Sequence, residues 1–109
     1  MAQWTGQFSG MTHETKVRDI EESLRQAIDA LTKASEADRD KKAKAVRHLS
    51  ERLLAARLKA LRARISVLTE AKNKRASGTQ VMRLRMREQE LDAQGISGIF
   101  REFRVPWQD

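Results

Sequence analysis

An all-α fold is what this chain of 109 residues predicts, from three observations. Ala, Leu, Arg, Glu, Lys and Gln, the residues that lose least on entering a helix, fill the stretch between Gly10 and Gly78. Large apolar residues recur there every three or four positions, as one helical face requires. Proline occurs once, at Pro106, and the five glycines lie near the ends or at a single interior point. The expected architecture is one helical domain: a long central helix flanked by two shorter antiparallel helices, a coiled-coil-like hairpin or three-helix arrangement.

The first helix is expected at about residues 12–33, after a flexible N-terminal segment, 1–11. Val17, Ile20, Leu24, Ala27 with Ile28, and Leu31 form its apolar face. Thr12 is the N-cap candidate, and Glu14 in the first turn faces the positive end of the helix dipole. Between Leu31 and Val46 the large apolar residues vanish, with neither glycine nor proline to force a break. Ser35 followed by Asp38 resembles a capping box in a form that admits Asp, which favours a new helix there over one continuous rod.

The second helix is expected at about 36–75, with Val46, Leu49, Leu53, Leu54, Leu58, Leu61, Ile65 and Leu68 as its stripe and Ala56, Ala60 and Ala63 widening it. Such a helix would be roughly 60 Å long, a spine and not a buried element. Gly78 is expected to end it in the left-handed conformation. A third helix is placed at about 79–94. Met82, Leu84 and Met86 alternate with Arg83, Arg85 and Arg87 as in a strand, but a strand here would have no partner, so Val81, Leu84 and Leu91 are read as the inward face of a helix stopped by Gly95. The remainder, 95–109, is an apolar C-terminal tail in which Ser97 caps a short turn carrying Ile99, Phe100 and Phe103, before Pro106 prevents further helix.

The helix lengths carry an expectation about the chain ends. If each short helix folds back on half of the spine, both termini arrive near its middle. The aromatic residues, Trp4 and Phe8 at one end and Phe100, Phe103 and Trp107 at the other, all fall outside the expected helices. They would then meet, as a cluster closing the core or as a docking patch, since aromatics dominate binding hot spots. These five are the candidate protein-binding residues.

Charge is unevenly distributed. Residues 39–87 carry sixteen basic side chains against three acidic ones, whereas 1–38 carry four against seven and 88–109 two against five. Arg52, Arg57, Lys59, Arg62, Arg64, Lys72, Lys74 and Arg75 run along the expected spine, and Arg83, Arg85 and Arg87 return on the third helix. This set is the candidate phosphate-binding surface, able in principle to track a nucleic-acid backbone by counterion release. It lacks interleaved aromatics and any helix-turn-helix, zinc or RNA-binding signature, so sequence-specific readout has no support. The competing reading pairs the basic spine with the acidic first helix and with acidic groups of a partner.

Catalytic constellations are missing. His13 and His48 are far apart and without metal-ligand spacing, cysteine is absent, and no glycine-rich phosphate loop occurs. No enzyme activity, metal, cofactor or small-molecule substrate is expected. No apolar run reaches the roughly 18 residues needed to cross a bilayer, nor do aromatic anchors flank the apolar face for a membrane surface. The N-terminus does not read as a secretory signal. The expectation is a soluble, intracellular, most simply cytoplasmic, basic protein. It would act as a helical adaptor or structural subunit through a protein partner or as a homo-oligomer, with nonspecific nucleic-acid binding as the alternative.

Overall fold

The computed structural model describes residues 2–70 and 74–107, with side chains placed over 13–70 and 78–107. Three helices of similar length make up the fold: α1, Ala2–Lys33; α2, Arg39–Glu70; and α3, Lys74–Phe103. Among the described residues there is no strand, so the alternating Met82, Leu84 and Met86 stretch is helical, with Met82 and Met86 facing outward and Val81, Leu84 and Leu91 half-buried.

The break between α1 and α2 follows the local chemistry. The Ala34 N–H donates to the Leu31 carbonyl at 3.1 Å, tightening the last turn of α1. The Asp38 N–H then donates to the Ser35 carbonyl at 3.0 Å, and the Asp38 carbonyl accepts the first helical bond of α2 from the Lys42 N–H at 3.0 Å. Asp38 is therefore the N-cap, with Asp40 in the first turn complementing the dipole. The rod alternative is excluded: α1 and α2 form a hairpin.

Four expected boundaries are corrected. The segment 2–11 belongs to α1, because Gly6 and Gly10 lower helix propensity without forcing a turn. The spine is shorter than expected, 32 residues or about 48 Å, and Lys74 already belongs to α3. Gly78 lies inside α3 and does not terminate a helix; with no proline behind it, a glycine merely weakens a helix. Finally, Gly95 interrupts α3 but does not stop it, and the chain resumes helix to Phe103, so Phe100 and Phe103 lie on a continuation of α3 and not on a separate short turn capped by Ser97.

Gly95 has φ 58° and ψ −151°, a conformation open essentially to glycine alone. The kink turns the short distal helix onto the core, where Ile99 becomes buried and Phe100 and Phe103 pack alongside. The end of α3 is a Schellman motif built without glycine. The Val105 N–H donates to the Phe100 carbonyl at 3.0 Å and the Arg104 N–H to the Arg101 carbonyl at 3.3 Å, with Arg104 at φ 54°. This hook returns Val105 to the core.

Leu24 and Leu31 of α1, Val46 and Leu53 of α2, Ile99 of α3 and Val105 form the core cluster. Ser50 is fully buried beside them, its hydroxyl donating to the Val46 carbonyl at 2.8 Å and so remaining satisfied. All of these α2 residues lie in its N-terminal half. Leu58 and Ile65 continue the buried side of α2 outside that cluster, while Leu54 and Leu61 of the expected stripe are only half-buried.

The molecule is closed at one end and open at the other. Packed contacts join α1 to α2 and α2 to α3. The Cα extents are 57 × 39 × 13 Å; three helices packed side by side would be only about 25 Å wide. The radius of gyration, 17.2 Å, exceeds the roughly 13 Å of a compact chain of this length. Thus α1 and α3 diverge from the shared core and leave one face of the C-terminal half of α2, that of Val67, uncovered between them.

The expected convergence of the chain ends is corrected as well. Glu21 lies opposite Arg57, so the part of α1 that precedes it runs toward the C-terminal half of α2. Trp107 instead sits at the opposite end, over Arg39 at the start of α2. The cause is the length of α3, which passes the middle of α2 and carries the C-terminal hook to its beginning.

Candidate docking groove

The splay of α1 and α3 creates a groove of about 1060 Å³. One wall is α1, with His13, Glu14, Val17 and Arg18; the floor is α2, with Ala60, Leu61, Ala63, Arg64 and Val67; the other wall is α3, with Arg87 and Leu91. Small side chains make the floor concave. Ala60 and Ala63 present no bulk, and the facing helices diverge too far for Val17 and Leu91 to fill the space. A smaller recess of about 390 Å³ between α2 and α3, lined by Leu68, Gln80, Arg83 and Leu84, shares Arg64 and Val67 with the groove and prolongs it. Val67 is 67% exposed, although it belongs to the apolar face that α2 buries elsewhere.

The closed end of the groove is an ion cluster. The Arg57 guanidinium donates through Nη1 to Glu102 Oε1 at 2.7 Å and through Nη2 to Glu102 Oε2 at 2.8 Å, a bidentate pair. The same Nη2 reaches Glu21 Oε2 at 2.9 Å. One arginine of α2 thereby ties α1 to α3. Its side chain is only 16% exposed, and these bonds, Glu102 first, hold it charged above its ordinary pKa against the opposing effect of burial. The reciprocal hydrogen bond from Arg57 keeps the Glu102 carboxyl below its usual range. Phe103 lies beneath this cluster, its ring centroid 5.9 Å from Arg57 Cζ and 5.6 Å from Arg25 Cζ.

Of the aromatic candidates, Phe100 and Phe103 pack against the same core cluster and Trp107 stands apart from them. Phe100 packs on the core and Phe103 is half-buried under the arginines. Trp107, 53% exposed, stacks on Arg39 with Cζ 4.4 Å from its ring. The side chains of Trp4 and Phe8 lie outside the described residues.

The basic candidates divide among faces. Arg57 is committed to its two carboxylates, and Arg62 pairs with Glu88 across α2 and α3. Arg52 and Lys59, both exposed, share one side of α2, while Arg57 and Arg64 share the groove side, as two-turn spacing dictates. On α3, Arg83 and Arg87 face the groove and its extension, whereas Arg85 is exposed elsewhere. Lys72 and the side chains of Lys74 and Arg75 lie outside the described residues.

Residue-type reasoning missed the groove. Its signal was present in the alanines of α2, which were read as widening an apolar stripe and which instead hollow it. His13 lines the wall and His48 is exposed. Among the described residues no group of three His, Cys, Asp or Glu is placed to hold a metal ion, and no helix is long and apolar enough to cross a membrane. No protein family matches this chain, and no curated protein or solved structure is similar to it.

Proposed function

We propose that this protein is a non-enzymatic helical adaptor or structural subunit that binds another protein in the groove between α1 and α3. The exposed apolar floor around Val67 carries this reading, because α2 buries the same face at the other end of the molecule. The scale of exposure supports it. The accessible surface is 8429 Å², against roughly 6200 Å² for a compact monomer of this mass. That surplus belongs to the splayed molecule as a whole, of which the groove is one part. Division of the basic residues among several faces argues against a single phosphate-tracking strip, which is what the nucleic-acid alternative needs.

The test is site-specific photocrosslinking in native lysate, with the photoreactive residue at Val67 and, as a control, at exposed Lys44. The expected result is a discrete protein adduct at Val67, absent at Lys44 and resistant to nuclease and high salt. Equal labelling at both positions, or adducts that nuclease removes, would overturn the proposal. An adduct between two copies of the chain would convert the reading to a homo-oligomeric subunit.

A further inference from the structure

The groove also specifies the chemistry of what fills it. Resting on the adaptor reading, we propose that its occupant is an amphipathic helix of another protein, apolar on one side and flanked by Asp or Glu.

Shape comes first. The floor runs from Arg57 to Leu68 on α2, about 17 Å at 1.5 Å per residue, or roughly three helical turns. Helical walls stand on both sides. A helix laid in such a trough meets ridges and grooves of matching pitch, and apolar anchors at i, i+3 or i+4 and i+7 would fall on Ala60, Ala63 and Val67.

Charge selects the sign. The two carboxylates at the closed end, Glu21 and Glu102, are already engaged by Arg57. Arg18, Arg64, Arg83 and Arg87, on both walls and the floor, make no ion pair among the described residues, and Glu14 is the remaining acid along the groove. An incoming helix with basic flanks would be repelled, and a neutral one would leave Arg18, Arg64 and Arg83 to be desolvated without compensation. Arg87 would keep only the field of Glu102, already held by Arg57.

A second copy meets the same objection. In a two-fold contact the groove faces itself, setting the basic lining of one copy against the basic lining of the other. A nucleic-acid strand would satisfy the arginines but not the apolar floor, and among the described residues no aromatic lines the groove for base stacking.

The experiment uses the full chain and three fluorescent synthetic peptides: a helix with Leu at the anchor positions and Glu on both flanks, its Lys-flanked isostere, and a scramble of the Glu peptide. Fluorescence anisotropy should show the Glu peptide binding at least about tenfold more tightly than either control. The double variant Arg64→Glu, Arg87→Glu, with unchanged circular dichroism, should reverse the preference toward the Lys peptide. Equal binding of the Glu peptide and its scramble, or indifference to the double variant, would overturn the assignment. So would a dimeric mass in light scattering that the double variant abolishes, which would place a second copy in the groove. A protein crosslinked at Val67 without any peptide preference would sink the acidic-helix assignment alone, and failure of both experiments would sink the adaptor reading with it.

Discussion

Replacing Gly95 and Gly78 by alanine, one at a time, should move stability in opposite directions, and both magnitudes follow from the backbone. An added Cβ meets nothing within 4 Å at either site, so packing does not enter. At Gly95, with φ 58° and ψ −151°, an alanine is forced into a region that costs about 1–3 kcal/mol. Alanine also restricts the unfolded chain, which returns about 0.4–1 kcal/mol. The net expectation for Gly95→Ala is a loss of about 1–2 kcal/mol. Gly78 lies inside α3, exposed and without a positive φ. Gly78→Ala should therefore gain about 0.5–1 kcal/mol. Urea unfolding followed by far-ultraviolet circular dichroism measures both, the midpoint shifting in opposite senses with the slope unchanged. A neutral or stabilising Gly95→Ala would mean that α3 can run straight through position 95, and the kink could not be what delivers Ile99 to the core. Destabilisation by Gly78→Ala would refute helix at 78.

Leu53→Ala should destabilise by about 2–5 kcal/mol in the same assay, because Leu53 is fully buried; the half-buried Leu54 and Leu61 should cost distinctly less, and equal losses at all three would contradict the burial pattern. Arg104→Gly should stabilise the chain modestly, by about 0.5 kcal/mol, since relief of a left-handed residue slightly outweighs the added freedom of the unfolded chain; no gain would mean that the hook is held without strain. Acid sensitivity should depend on Glu102. Its folded-state pKa is depressed by Arg57, so the unfolded chain takes up the proton first on acidification. Its stabilisation is present above the ordinary glutamate pKa, about 4.3, and is lost as pH falls through the lower folded value. Glu102→Gln should be less stable than the parent at neutral pH, with the difference shrinking in acid; a constant difference across pH would exclude the ion pair as its source.

How much of this was legible in the sequence divides along physical lines. Helical class, a break near Ser35 and the apolar faces of α1 and α2 are local properties, written in spacing and caps, and the structure has them, although α2 starts at Arg39 with Asp38 as its N-cap and not at about 36 after Ser35. Gly78 and Gly95 look alike as residues and differ only in their tertiary setting, so both read as helix ends; Gly95 does interrupt the helix, Gly78 does not, and the helix after Gly95 was legible only as a short turn. Ending helices at both glycines shortened the third helix and brought the termini together in expectation. Arg57 was counted with the surface arginines because nothing in its neighbours on α2 reveals Glu21 and Glu102, which arrive from two other helices. The groove was hidden for the same reason, since a concavity belongs to three helices and not to any one of them.

Closure at one end alone gives the molecule an uneven thermodynamic profile. Amide groups beside Leu24, Leu53 and Ile99 can exchange with solvent only when the shared core opens, whereas those around Val67 line the open groove and those around Met82 sit on an outward face of α3. Local opening of the splayed half is accordingly the cheaper fluctuation. A ligand that spans α1 and α3 there binds the closed-up form and not the frayed one. Its affinity is then partly spent on ordering that half, and its occupancy should be visible as slowed hydrogen exchange at a distance from the residues it touches.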